Sequence, residues 1–390
     1  MEEEESEKSP QLVRVLEALK EATHDIQRHH SSDSPAIKAL LELHSILSSS
    51  DPYLSALSDH LIRLKTLVHS LNHSNGLLSF LTRPLSTLSL SRLASQIESE
   101  IQSWIDRETL HTLSSSLRNP NNNHEFVSLL TQSIYRVSQG FNRELQDLVL
   151  KLKLFSSLES VLFDDKCSIP VREQAGLAVS ALIRFNKDVF VGQVLMGPTV
   201  RALVSMGSVL SLEVLCSLIR SIRSPLVDEI ESNGEIPNII AMLNSEDLEL
   251  RVVALGCALE IGYFGRKEAV EAMMKEGLVE KLVELQRSEK GGDLIEIGRE
   301  KVSGVLERKP FASCVARFAV QLEVGEGLRQ REKRAFKPEI LIRVRDASVS
   351  EAEAATIAAE ILLDRGNRDY EENYMDAEYA EEKSAEESRF

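Results

Sequence analysis

The residues able to do chemistry are unevenly placed. All nine histidines lie between His24 and His124. Among them His69 and His73, four apart, share one face of a helix as two metal ligands can. A structural metal site takes about four ligands. The four cysteines, Cys167, Cys216, Cys257 and Cys314, all lie in the other part of the chain, with no Cys-x-x-Cys pair. The histidines therefore read as surface or partly buried side chains without metal. His29-His30 reads as a helix end, where an imidazolium suits the dipole. Three cysteines sit in apolar helical context and Cys167 near a turn, so reduced thiols are expected. No Gly-x-Ser-x-Gly elbow, phosphate-cradling Gly-x-x-x-x-Gly-Lys or dinucleotide fingerprint is present. Gly291-Gly292 reads as a loop, and Glu271 and Glu276 as solvated carboxylates on or beside a polar helix. Nothing pairs a nucleophile with a base, so the chain is read as a non-enzyme that needs no cofactor.

The elements that carry these residues are helical. Hydrophobic residues make up 43% of the 390 and aromatics only 5%, a core of Leu, Ala, Val and Ile that suits helix on helix. Helical spacing runs over 10–29, 34–49, 52–73, 84–105 and 123–138, with turn signals at SSSDP, HSNG and RNPNNNHE. This part reads as an antiparallel bundle. From about residue 140 the pattern changes to recurring helix pairs. Gly234-Glu235-Ile236-Pro237 returns as Gly277-Leu278-Val279-Glu280, each leading into an apolar helix, and the last, looser copy runs from a helix at 276–286 to one at 294–308. Gly197, Gly234 and Gly277 lie 37 and 43 residues apart. A period near 40 with two or three helices is the mark of an armadillo or HEAT stack, whose units cannot bury their apolar faces alone.

The net charge of −16 is concentrated at the ends: MEEEESEK carries −4 and residues 366–390 carry −6. These read as solvated tails, and the balance is opposite to that of a nucleic-acid binder. No apolar run is long enough for a membrane span. The opening residues are acidic, unlike a secretory signal, so a cytoplasmic or nuclear location is expected.

The repeats resemble the armadillo family. That family opens its second helix with a pattern like Gly-x-Ile-Pro-x-Leu-Val-x-Leu-Leu, beside which stands Gly234-Glu235-Ile236-Pro237-Asn238-Ile239-Ile240-Ala241-Met242-Leu243. Its third helix buries an Ala-Leu pair, matched by Ala181-Leu182, Ser217-Leu218 and Ala258-Leu259. The likeness covers about 155–310. The segment LSRLASQIESEIQSWIDRETL also resembles the helical domain that precedes the repeats of plant U-box ubiquitin ligases. Only Ser168-Ile169-Pro170 is similar to the U-box core, no Phe…Cys-Pro-Ile follows, and there is no room for the module. The resemblance thus implies a relative without ligase activity of its own.

It also implies where a partner would lie. Family members that hold extended peptides line a concave face with a Trp-Ala-Leu-Ser-Asn motif on the third helices. Here the Trp position holds Ser180, Cys216 and Cys257, and the Asn position Arg184, Arg220 and Ile261, with Arg223 one turn on. The groove residues expected are therefore Arg184, Arg220, Arg223 and Ile261. Arginine makes forked hydrogen bonds to carboxylate or phosphate, so an acidic or phosphorylated extended segment is the inferred ligand. The alternative is that these arginines pair with acids of neighbouring helices.

Residues 328–346 hold seven Lys or Arg against three acids, read as a solvated helix and loop, with a nuclear-localisation cluster or membrane-surface patch as alternatives. Ser350 and Glu353 form a capping box opening a helix over 347–363 that covers the end of the stack. The segment 366–390, with Tyr370, Tyr374 and Tyr379 among acids, could fold back onto an Arg-lined groove.

The fold expected is all-α: a right-handed α-solenoid of armadillo-like repeats preceded by an N-terminal helical bundle. Its parts are an acidic tail at 1–8, the bundle at 9–140, repeats at 141–310, capping helices at 311–364 and an acidic disordered tail at 365–390. The function expected is a non-catalytic protein-binding adaptor, or alternatively a substrate-recruiting or regulatory subunit in a ubiquitin-ligase pathway. Its partner would be a protein, with neither nucleic acid nor a membrane span; the oligomeric state stays open.

Overall fold

A computed structural model describes residues 16–18, 20–21, 23, 37–40, 55–73, 78–118, 124–291 and 308–363. Both acidic tails, His29-His30 and residues 292–307 lie outside the described residues. Among those described there is no strand. The chain divides into two compact units, Met1–Asn119 with Asn142–Leu154, and Pro120–Phe141 with Phe155–Phe390.

The first unit is built on α1 (Ser55–His73) and α2 (Leu78–Arg118), which pack along one another. Leucines at 57, 61 and 64 fall on one face of α1 and meet Leu90, Leu93, Ile97 and Ile101 of α2 in a core that also buries Leu16, Ile37, Leu40 and Trp104. α2 is one helix through Pro84 and beyond 105, longer than its sequence pattern had set. α4 (Arg143–Lys151), capped by the Asn142 side chain on the Leu145 N–H, also packs on α2.

The second unit is the stack. Its helices are α3 (His124–Ser138), α5 (Leu154–Phe163), α6 (Ile169–Phe185), α7 (Lys187–Met196), α8 (Thr199–Met206), α9 (Val209–Ile222), α10 (Ser224–Ser232), α11 (Ile236–Ala241), α12 (Leu248–Phe264), α13 (Lys267–Lys275), α14 (Leu278–Arg287), α15 (Cys314–Val324), α16 (Gln330–Ala347) and α17 (Glu351–Leu363). Units of three repeat: α7-α8-α9, α10-α11-α12 and α13-α14-α15. The third helices form one packed row, α3-α6-α9-α12-α15-α17. Gly234 and Gly277, at φ 71° and 75°, end the first helices in the left-handed region that a side chain resists. Pro237 sits in the first turn of α11, where its missing N–H costs nothing. Ala181, Leu182, Ala258 and Leu259 are buried, as the Ala-Leu pattern requires.

Two boundaries move. α3 was expected in the bundle, but Phe126, Leu130, Ile134 and Val137 make its buried face, and it packs along α6. It is therefore the first member of the row. The helix expected at 294–308 falls almost wholly outside the described residues. The third helix of the last full unit is instead α15, within the segment expected to cap. Phe318 of α15 fits against Gly262 of α12, where a Cβ would stand 3.0 Å from the ring.

The last pair continues the same geometry, α16 on α14 and α17 on α15. Arg287 clamps α17 by donating Nε to Glu353 Oε1 at 2.8 Å and Nη2 to Glu353 Oε2 at 3.1 Å. Half of the expected capping box forms: Ser350 Oγ accepts from the Glu353 N–H, while the Glu353 carboxylate takes the Val349 N–H. On the same helix Gln286 Nε2 donates to the buried Glu360. The hydrogen bond from Arg287 holds the Glu353 carboxyl below its ordinary 4.5, whereas burial pushes Glu360 up. The two act on stability with opposite signs. The lowered pKa of Glu353 stabilises the fold above pH 4.5, and that gain is lost as pH falls through the lowered value. The raised pKa of Glu360 favours the fold below pH 4.5, and that gain is lost as pH rises through the raised value. At pH 7, Glu353→Gln is expected to speed amide exchange of α17 by up to about fivefold, since this pair is partly solvent-screened. Glu360→Gln is expected to slow exchange or leave it unchanged. Equal acceleration by both would refute this reading.

Candidate protein-interaction surface

The third helices owe their burial to composition. α12, LELRVVALGCALEIGYF, is apolar on nearly every side, and Glu249 is its one well-exposed residue. Neighbouring third helices therefore approach closely, and small side chains fill the seam. Ser180 Oγ lies 3.0 Å from Ser217 Oγ, and Cys216 Sγ 2.6 Å from Cys257 Sγ. Ser180, Cys216 and Cys257 stand where the family sequence would place Trp, and all three are small and buried. The contact with Cys257, then burial, pushes the Cys216 thiol well up, and burial raises Cys314 to about 12. Such thiols stay protonated and are poor nucleophiles.

The four expected groove residues fare differently. Arg184 is exposed in the last turn of α6. Arg220 donates Nε to Glu260 Oε1 at 2.8 Å, joining α9 to α12, with the side chains only 15% and 12% exposed. Here the alternative reading, an arginine paired with an acid of the next helix, is the one the geometry shows. Arg223 lies at the turn into α10, at φ 70° and ψ −144°, strain of about 1–3 kcal/mol for a residue with a side chain. Its guanidinium contacts Glu326 at 3.2 Å and stands 6.0 Å from the centre of the Phe264 ring. Ile261 is 1% exposed and cannot line an accessible groove. It is a core residue, because the register of α12 turns this position inward.

Sequence reasoning missed the partner of Arg220. The acid was visible in the run Ala258-Leu259-Glu260-Ile261, but the offset between adjacent third helices was not. It also missed Gly256, where a Cβ would meet nothing within 4 Å, so the middle of α12 is open on that side. In the first unit, a cleft of about 430 Å³ opens between α1 and α2, with Arg63 and Arg92 at its rim and Leu67 and Leu93 in its wall. Among the described residues no cluster of three or more His, Cys, Asp or Glu could hold a metal ion. No single helix there is long and apolar enough to cross a membrane.

Three-helix units, left-handed glycine ends and a continuous third-helix row decide the architecture. It is an armadillo-like repeat fold. No family model matches the chain, and no curated protein matches it. Among solved structures, a "Designed armadillo repeat protein" aligns at TM-score 0.42 and 16% identity, covering 64% of this chain and 98% of its own. A second, titled as computationally designed for modular peptide recognition, aligns at TM-score 0.41 and 17% identity over 64% of this chain and 97% of its own. A third, a designed armadillo repeat protein in complex with peptide (KR)4, aligns at TM-score 0.39 and 18% identity over 64% and 97%. The assignment of the armadillo-like fold rests on the helix geometry of the chain itself.

Proposed function

We propose that the protein is a non-catalytic interaction scaffold that holds an extended segment of a protein partner along its third-helix row. The observation that carries this is the row itself. Its seam is locked by Ser180–Ser217, Cys216–Cys257 and Arg220–Glu260, while Arg184, Glu213 and Glu249 are exposed along it and Gly256 leaves space. A rigid row fixes the spacing of the side chains it presents, so only the partner must be ordered on binding.

The ligand we infer is an acidic or phosphorylated segment, engaged through Arg184 and through Arg220 in competition with Glu260. That competition makes Arg220→Glu a poor probe, because it would set two half-buried carboxylates against each other. Arg184→Glu and Glu260→Gln are better. In fluorescence polarisation with an acidic phosphoserine peptide library, Arg184→Glu is expected to weaken binding about tenfold or more. Glu260→Gln is expected to strengthen it by removing the carboxylate charge that neutralises the guanidinium. If neither variant moves the affinity while circular dichroism shows both folded, the acidic ligand is wrong. The scaffold reading would be overturned separately, if full-length protein retained no partner through its stack in cross-linking from cells.

A further inference from the structure

Six of the seven basic residues of 328–346 lie on α16 and divide by face, while Arg329 sits at its N-cap. Lys333, Lys337 and Arg343 point into the stack. Lys333 Nζ donates to the Glu323 and Gly325 carbonyls at 2.8 and 2.7 Å, closing the end of α15. Lys337 pairs with Glu323 at 2.7 Å, and Arg343 with Glu280 at 3.1 Å. On the same side Phe336, Ile340 and Val344 mark the buried face of α16. At about 100° per residue, Arg331, Arg334, Pro338, Ile342 and Arg345 then fall on one exposed arc. Arg331 and Arg334 make no hydrogen bond or ion pair among the described residues, and Arg345 reaches only the adjacent Asp346, at 3.5 Å. Pro338 removes an N–H on this arc and so leaves the Arg334 carbonyl without its helical donor.

Apolar residues stand beside these cations. Ile342 is 53% exposed, Val349 in the turn to α17 76%, and Leu362 on α17 49%. No later helix among the described residues stacks on α16 and α17, so a surface of three cations and three large aliphatic side chains ends the row. The acids on it are Asp346 and Glu351, fewer than the cations.

We propose that the occupant of this surface is the chain's own segment 366–390, docked on the outer face of α16 and α17. The match is chemical. The segment carries −6 and interleaves Tyr370, Tyr374, Met375 and Tyr379 with its acids. Carboxylates meet Arg331, Arg334 and Arg345, and the rings cover Ile342, Val349 and Leu362. The tether favours it too: the segment begins three residues after Leu363, the last residue of α17, so its effective concentration at this face is of millimolar order. Docking would shield an acid-reading surface separate from the third-helix seam, so that partners compete with the segment for access.

Hydrogen exchange on the full chain tests this. At low salt, amides of 369–379 are expected to exchange about fivefold or more slowly than in a free peptide of the same sequence. Charge reversal at Arg331→Glu, Arg334→Glu and Arg345→Glu together is expected to abolish that protection, as is 0.5 M salt (on the order of a 4 Å screening length). The stack itself should stay intact, shown by unchanged protection of α14. A second full-length variant, Glu371→Gln with Glu372→Gln and Asp376→Asn, is expected to give the same loss without touching the stack. Free-peptide exchange in the wild type overturns the proposal, as does protection that survives both variants. Protection that rises with protein concentration alongside a dimer in sedimentation would instead make a second copy the occupant, and would equally overturn it.

Discussion

Replacing Gly327 by alanine is expected to loosen the last third of the stack while leaving its earlier units intact. The turn after α15 lies backbone against backbone on the turn after α12. The Gly327 N–H donates to the Tyr263 carbonyl at 3.1 Å, and a Cβ at Gly327 would fall on the Gly265 carbonyl and the Phe264 oxygen. Neither obstacle is a flexible side-chain end that could swing aside. The two turns must separate, taking with them the Tyr263 hydrogen bond and the Lys333 cap on the Gly325 carbonyl. Overpacking of this kind costs about 3 kcal/mol. In a solenoid the cost stays near the interface that bears it, because each unit contacts only its neighbours. Amide protection in α15, α16 and α17 is therefore expected to fall about 100-fold, with α6 and α9 little changed. Uniform loss across the stack would mean that it unfolds as a single cooperative body. No loss would mean that the turns are not apposed.

Much of this architecture was legible in the residues, for reasons that can be named. Gly234 and Gly277 announced turns that only a residue without a Cβ makes easily, and Pro237 announced a helix start. The Ala-Leu pairs showed which side of each third helix is crowded. What escaped was whatever depends on spacing between elements. α9 starts three residues after α8 ends at Met206, and α12 four after Asn244, but α15 starts only at Cys314, long after Arg287. The even period hid that gap and drew the expected third helix to 294–308. α3 was assigned by the conspicuous loop RNPNNNHE, read as internal to the bundle. The pattern of Phe126, Leu130, Ile134 and Val137 shows that a face is apolar, not what covers it. The candidate site was less legible still. Composition can place an arginine on a helix, but its worth as a ligand depends on whether a neighbour already holds it. Arg184 and Arg220 are alike by sequence and differ in exposure: Arg184 is exposed, whereas Arg220 is 15% exposed and bound to Glu260.

The Arg220–Glu260 pair should therefore behave as a structural lock before it behaves as a binding site. With both side chains largely removed from water, truncating one leaves the other charge half-buried without its counterion. Glu260→Ala is expected to cost about 3 kcal/mol, because the uncompensated guanidinium loses more than the pair itself contributed. Arg220→Ala should cost a similar amount. Replacing the two together by methionine and leucine is expected to come within about 1 kcal/mol of wild type, since neither desolvation cost then remains. A double-mutant cycle read from amide protection of α9 and α12 would show coupling of about 2 kcal/mol. Additive costs would mean that the two side chains do not sense each other, and the lock would be wrong. Glu260→Gln lies between these extremes. Its amide oxygen still accepts from Arg220 Nε, so stability falls by only about 1 kcal/mol, while the counter-charge is gone. An acidic ligand would then meet an arginine already positioned and no longer neutralised. The same substitution that modestly weakens the stack should strengthen its hold on such a ligand, an opposition that a merely structural pair would not produce.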